Sequence, residues 1–352
     1  MADHVSFPRP PVQGPTAWIG AELARRPEEW TYHLSSTDLA EIAAATQACQ
    51  GRDIASITRA DFPLPTFGPV LDRLRDELVN GRGFVLLRGL PVEGRPIEES
   101  ATSYWGIGAY IGSPRSQNAK GHVLGHVRDL GLATADPNVR TYQTMERQHF
   151  HTDSCDVVGL LCLKTAKSGG LSSLVSSNTI YNVMAERYPD LVWRLFQPFA
   201  TDRRGEIPEG KKPWFDMPLF NDHAGYLSTM YSRTYVRSSQ RFPEARRLTD
   251  EDIAALDCFD SLAEDKELRL DMTLKPGDIQ FVHNHTLLHD RTSFVDWQEP
   301  ERKRHLLRLW LAVPGARPLP PVYAERYGSL QIGDRGGIVC PGTKLHAPLE
   351  PV

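Results

Sequence analysis

Apolar positions in the first part of the chain recur at helical spacing. From about Ser36 to Gln50, Leu39, Ile42 and Ala43 share one side behind Ser and Thr caps, and from about Pro69 to Asn80, Val70, Leu71, Leu74 and Leu78 do the same. Gly81-Arg82-Gly83 ends the second helix, and the run Phe84-Val85-Leu86-Leu87-Arg88 reads as a buried strand. A third helix is expected from about Ile97 to Ile111, stopped by Gly112-Ser113-Pro114. The texture then turns strand-like. Arg140 to Gln148 leads into His151-Thr152-Asp153, Val157 to Leu163 is a second buried run, and Gly169-Gly170 turns into Ser172 to Ser176. One helix is expected over Thr179 to Phe196, hairpins over 200–235, and another helix behind Thr249 as N-cap. Leu268 to Leu274 alternates, Pro276-Gly277-Asp278 turns, and Ile279 to Asn284 is a strand, with His289 expected in the loop after it. His305 to Val313 is the last strand, with Arg304 at its start and Arg308 inside it. Residues 1–30, rich in Pro and polar groups, are expected to drape over the surface.

Strands with inserted helices, without a regular βαβ alternation, indicate an α+β fold. The expected core is a double-stranded β-helix (jelly-roll, cupin-like) with flanking and inserted helices. The expected division is an N-terminal extension over 1–65, containing a helix and packed on the core, and a single double-stranded β-helix domain over 66–352. Within the latter, a lid-like insert is expected at about 200–247 and a tail from about 314. Of the 352 residues, 40% are hydrophobic and 24% charged, as in an ordinary globular enzyme. The net charge of −4 gives no reason to expect nucleic acid as a partner, and no apolar run is long enough for a membrane span. The N-terminus lacks an apolar h-region, and the five scattered cysteines form no CxxC pair, so a reducing, cytoplasmic setting is expected. The proline-rich tail from Pro318, with its Gly-Asp-Arg-Gly-Gly run, can wrap its own core or a neighbouring copy, which leaves a homo-oligomer open.

The candidate chemistry lies in His151-Thr152-Asp153, His289 and Arg304. If the strand runs through the first motif, His151 and Asp153 project the same way. Two imidazoles and one carboxylate, with the remaining positions open, form the ligand set of mononuclear non-haem Fe(II) oxygenases. Arg304 is placed to hold a carboxylate co-substrate. His149 is the main rival ligand, expected on the same face as His151; three imidazoles with Asp153 would suit zinc better. His283 and His285, in or just past a strand, are expected to be packing histidines. His122 and His126, in GHVLGH, either reach the pocket or lie on the surface.

The segments HFHTD, SGGLSSLVSS, LKPGDIQFVHNHTLLHDRT and ERKRHLLRLWL together resemble the motif series of the taurine dioxygenase/clavaminate synthase superfamily. Those enzymes are Fe(II)- and 2-oxoglutarate-dependent oxygenases, and the resemblance covers roughly Phe84 to Val313. It implies iron held by His151, Asp153 and His289, and the distal carboxylate of 2-oxoglutarate on Arg304. Arg308 resembles a second family arginine that faces the metal pocket, serving substrate or the inner carboxylate. Ser172 stands where the family has a threonine after the Gly-Gly turn, as a hydroxyl partner for 2-oxoglutarate. The implied reaction uses O2 and couples decarboxylation of 2-oxoglutarate, to succinate and CO2, to hydroxylation or related C–H oxidation of a small organic substrate. Asp153 stands where related halogenases carry a small residue, which argues against halogenation. Desaturation, ring formation and epimerisation share the same ligand set. Two other readings stay open: a zinc hydrolase using His149, His151 and His289 with Asp153 as base, and a non-catalytic jelly-roll binding protein. Trp105, Tyr142, Trp214, Phe215, Phe220, Tyr226 and Tyr231 are candidate pocket aromatics, Gly205 to Tyr235 is a candidate lid, and nothing selects the substrate.

Overall fold

A computed structural model describes residues 9–132 and 139–351. Two sheets face each other. The larger, seven-stranded sheet runs in the order Thr31–His33, Phe84–Arg88, Ile279–His283, Val157–Lys164, His305–Ala312 and Ser113–Pro114, with Gly125–Val127 also paired to His305–Ala312. Its first pair is parallel and the others are antiparallel. The smaller, four-stranded sheet runs Arg269–Met272, Ser172–Ser176, Leu287–Arg291 and Gln148–His151, all antiparallel. The result is the expected α+β jelly-roll.

Strand alternation sorts the apolar side chains into three layers. Phe84, Leu86, Val158, Val282, Leu306 and Trp310 of the large sheet meet Leu174, Leu270, Met272 and Leu287 of the small one between the sheets. The intervening residues Val85, Leu87, Leu161, Phe281, Leu307, Leu309 and Leu311 face outward under the helices Ser36–Ala48, Phe67–Val79 and Ile97–Ile111. Phe150, Val175 and Leu288 face outward on the other side, under Ser177–Arg187, Pro189–Arg194 and Asp250–Ala263. Both faces of each sheet are therefore buried, so strands such as Phe84–Arg88 and His305–Ala312 read as continuous runs rather than alternating ones. Ser35 and Thr249 close capping boxes with Asp38 and Asp252 and set the starts of two of these helices.

The long helix expected over Thr179 to Phe196 is two helices, broken at Tyr188 (φ −137°, ψ 54°). Pro189 imposes the break, because its ring excludes the α conformation from the residue before it. The N-terminal segment also differs from its expected surface course. Trp18, Leu23 and Trp30 are buried in the layer between the sheets, and Trp18 packs edge-on against Phe84 at 5.5 Å. Gly20 makes this docking possible: its N–H donates to the Leu268 carbonyl, and a Cβ there would lie 2.0 Å from the Arg269 carbonyl oxygen. Residues 1–8 of that expected surface segment lie outside the described residues. The tail returns over its own chain, where Ile338 joins the inner layer and His346 bridges to His122. Among the described residues no helix is long and apolar enough to cross a membrane.

Candidate metal centre

The small sheet brings the sequence motifs together, though not by the route expected. The strand Gln148–His151 ends at His151, so alternation does not carry Asp153. Instead Thr152 N–H donates to the Tyr231 carbonyl (2.9 Å) and Asp153 N–H donates to Asn284 Oδ1 (2.8 Å), which fixes the turn that presents the carboxylate. His289 lies in the strand Leu287–Arg291, not in a loop, because Leu287 and Leu288 on either face anchor that segment in two core layers. Its register sets His289 directly opposite His151.

His149 does not share the face of His151. Arg291 pairs with Gln148 while His289 pairs with His151, so one extra residue bulges from the strand and resets its alternation. Phe150 turns into the core, and His149 is left exposed near Glu264 (3.9 Å). The three-imidazole zinc set is therefore not assembled. His149, Glu264 and Asp290 also cluster, but Arg147 bridges both carboxylates at 2.7 and 2.8 Å. His283 bonds Thr286 and His285 bonds Asp156, as packing histidines. His122 and His126 neither reach the pocket nor lie on the surface: both are buried, His122 against His346 and His126 against His305.

One donor atom from each of His151, Asp153 and His289 falls within a 4.8 Å cluster. Asp153 Oδ1 is 3.8 Å from His151 Nε2, and Oδ2 is 3.7 Å from His289 Nε2. His151 Nδ1 donates to the His149 carbonyl at 2.8 Å, which leaves the Nε2 lone pair for a ligand role; Gln148 now donates to it at 2.9 Å. His289 Nδ1 is buried with no hydrogen-bond partner. Burial, then the neighbouring His151, pushes the His289 imidazole down to about 3, so it stays neutral and able to coordinate. Burial works to raise the Asp153 carboxyl, but Arg308, His289 and His151 outweigh it and hold the group below the usual carboxylate range. Trp310 Nε1 donates to Oδ2 at 2.8 Å, which orients the carboxylate. Two imidazoles and a carboxylate around a common point suit a divalent metal, and iron in particular.

Arg304 immediately precedes the last strand, His305–Ala312, and Arg308 lies within it, on the face of Leu306 and Trp310. Arg304 is 6% exposed, and its Nη1 has no partner. Burial pushes it down to about 10, still charged at neutral pH. Its side chain packs on Gly170 (φ +71°), where a Cβ would approach Nε to 3.1 Å, and over the Phe294 ring at 5.2 Å. Arg291 approaches the same ring at 4.8 Å, with Nε and Nη1 also unpartnered, and is paired in register with Ser172. Ser172 Oγ donates to Gln280 Oε1 at 3.3 Å. Arg308 is clamped by Gln117, with Nε donating to its Oε1 (2.7 Å), lies over Tyr142 at 4.5 Å and comes within 3.9 Å of Asp153.

A cavity opens beside this cluster, bordered by Tyr142, Gln148, His151, Asp153, Tyr235 and Arg308. Of the candidate aromatics, Tyr142 reaches this cavity; Phe215 and Tyr231 border an adjoining recess, and Trp105, Trp214 and Phe220 are core. Asn284, Trp310, Gln117 and Arg291 were missed from sequence. Arg291 alone carried a signal, two strand positions from a candidate ligand.

Comparison with known proteins agrees with this geometry. The sequence model of the family described as "Taurine catabolism dioxygenase TauD, TfdA family" matches residues 46–310. FR-33289 synthase from Streptomyces rubellomurinus is 32% identical over 327 residues, covering 90% of this chain and 94% of that protein. The chain belongs to the TauD/TfdA family. It is an Fe(II)- and 2-oxoglutarate-dependent dioxygenase of that family. The fold is shared with asparagine oxygenase, solved with Fe(II), 2S,3S-3-hydroxyasparagine and succinate (TM-score 0.62, 15% identity, 80% of this chain and 93% of that one). It is shared too with the non-haem iron oxygenase OrfP, solved with Fe and α-ketoglutaric acid (TM-score 0.58, 14% identity, 80% and 93%).

Proposed function

We propose that His151, Asp153 and His289 hold the iron of this dioxygenase, and that Arg304 pairs with the distal carboxylate of 2-oxoglutarate. The observation that supports this most directly is the cluster of two imidazoles and a carboxylate bordering a cavity, with Arg304 buried at the start of the last strand and its Nη1 without a partner. Bound iron and 2-oxoglutarate supply the oxidising power for C–H hydroxylation of a small molecule, releasing succinate and CO2. The chain's own residues do the orienting. Trp310 and Asn284 fix the Asp153 carboxylate, and the His149 carbonyl fixes the His151 tautomer. Ser172, in register with Arg291, would donate to bound 2-oxoglutarate. Arg308 keeps Asp153 ionised and presents its guanidinium to substrate or to the inner carboxylate. The segment 200–247 serves as the lid, since Ser232 and Tyr235 border the cavity. The setting is cytoplasmic, in keeping with five unpaired thiols.

The test is an anaerobic visible titration with Fe(II) and then 2-oxoglutarate. A metal-to-ligand charge-transfer band should need both additions and be lost in Asp153→Ala. A band that survives in Asp153→Ala, or that forms without 2-oxoglutarate, would sink the assignment.

A further inference from the structure

The cavity beside the metal cluster is walled mainly by polar side chains, among them Gln117, Arg140, Gln148 and Arg308. The recess that adjoins it has the opposite character. Phe199, Phe215, Met217, Leu219, Val236 and Leu256 line it. Thr152 and Ser154, on either side of Asp153, border both spaces, as do Tyr235 and Arg326. The recess is therefore continuous with the cavity at the turn that presents the metal-ligand carboxylate.

It lies where two apolar clusters meet. Phe199, Leu219, Val236 and Leu256 belong to the layer that holds Phe150 and Leu288, whereas Phe215 and Met217 pack with Leu319, Tyr323 and Tyr327 of the tail. The hydroxyls around it are used within the chain. Thr152 Oγ1 accepts from Tyr231 N–H (2.9 Å), Ser154 Oγ accepts from Arg326 Nε (2.8 Å), and the Tyr231 hydroxyl donates to Asp260 Oδ1 (2.7 Å). Arg326, the cation at its edge, lies over the Phe215 ring at 5.8 Å and is opposed by Glu206. A buried water needs roughly two to four polar partners, so a space of this kind holds water poorly and an apolar group displaces it readily.

We propose that the substrate carries a short alkyl group and that this recess receives it, while the carbon to be oxidised stays in the cavity beside Asp153. The recess has a volume of about 40 Å³. That is room for roughly three water-sized groups, so an alkyl end of about two to four carbons fills it and a longer chain does not. The thioethers of Met217 and Met230 let the walls adapt to the shape of that group. This rests on the iron and 2-oxoglutarate assignment above and names a part of the substrate of that site.

The experiment is a nuclear magnetic resonance titration of the full chain with isotope-labelled methionine methyl groups. The protein is loaded with 2-oxoglutarate and with Zn(II), which is diamagnetic, and the probes are ethanol, 1-propanol, 1-butanol and 1-hexanol. Met217 and Met230 border the recess, and the other four of the six methionines serve as controls. Only the Met217 and Met230 signals should move, with affinity rising about fourfold per added carbon up to 1-butanol and levelling off by 1-hexanol. Leu256→Phe should fill the recess and weaken 1-butanol by about tenfold or more. Leu256→Ala, which deepens it, should extend the rise to 1-hexanol and carries the test if the larger side chain prevents folding. Met217 and Met230 signals that stay fixed in the wild type, or an alkanol series unchanged by the substitutions, would overturn the proposal. A charge-transfer band missing from a parallel Fe(II) sample would instead count against the iron and 2-oxoglutarate assignment, since binding in the recess is read without iron.

Discussion

Asp153 and Asp156 lie three residues apart in the chain, are both buried, and each meets histidine and arginine, yet they anchor opposite kinds of structure. Both oxygens of Asp156 are used: Oδ1 accepts from His285 Nε2 (2.9 Å) and Arg335 Nε (2.8 Å), and Oδ2 accepts from Val313 N–H (3.0 Å). Asp153 Oδ1 accepts no hydrogen bond among the described residues and faces His151 instead, with two imidazole Nε2 atoms turned toward the same carboxylate. The first cluster engages both carboxylate oxygens and fastens the tail, through Arg335, to the end of the last strand. The second is left open toward a cavity. Buried polar groups in folded proteins are normally satisfied. Asp153 departs from that norm beside a cavity, as the proposed iron site requires.

The widest separation of the two clusters is expected from paired substitutions. Asp153→Ala should lower succinate release on the order of 10⁴-fold, the scale of losing an essential catalytic group. The thermal midpoint should fall less than in Asp156→Asn, because Asp153 accepts one side-chain hydrogen bond, from Trp310, and the nearby Arg308 keeps its bond to Gln117. Asp156→Asn should do the reverse, costing about 3–5 kcal/mol by stranding a buried Arg335, with turnover per folded molecule retained. Denaturant midpoints and succinate assays on the two proteins read both effects. A stable, active Asp156→Asn protein would erase the distinction. The pH dependence should follow. Burial raises the Asp156 carboxyl, but the His285 hydrogen bond and Arg335 outweigh it and hold its folded pKa low; burial also lowers that of His285. Both groups therefore bind more protons when unfolded. Their stabilisation is present above their ordinary pKa values and is lost as pH falls through the folded ones. The wild type should accordingly lose midpoint faster than Asp156→Asn between about pH 6 and 4, across the ordinary carboxylate and imidazole range.

Arg304→Met comes next. Removing the cation opposite a buried carboxylate typically costs about 2–5 kcal/mol, so the KM for 2-oxoglutarate should rise about 10²-fold or more while Fe(II) affinity is kept. An unchanged KM would shift the co-substrate role to Arg291. Asn284→Ala and Trp310→Phe sharpen the comparison further. Each removes a hydrogen bond that aims Asp153 and should weaken Fe(II) binding by about 10–100-fold in an anaerobic competition titration. Ser172→Ala is the smallest effect, a rise in 2-oxoglutarate KM of about fivefold, near the net worth of one hydrogen bond. A rise as large as that of Arg304→Met would make Ser172 a principal anchor.

Much of this was legible because it is local. Phe84–Arg88 and His305–Ala312 declare themselves as strands buried on both faces, and Thr249 announces its helix through a capping box with Asp252. The series His151, Asp153, His289, Arg304 stood out because few residue types could serve the proposed iron and dicarboxylate sites and because it resembles the family's motif order. What the chain could not declare is pairing. The bulge that turns His149 to solvent depends on the register of Gln148–His151 against Leu287–Arg291, and a one-residue offset reverses a side chain without changing the sequence pattern. Asn284, Gln117 and Arg326 reach the site from segments far apart in sequence, each held by contacts formed only once the sheets have closed. Periodicity indicated the jelly-roll architecture, and the motif series, through its family resemblance, the reaction class. The tertiary structure decided which polar groups remain unsatisfied, because satisfaction belongs to the packed neighbourhood and not to any residue alone.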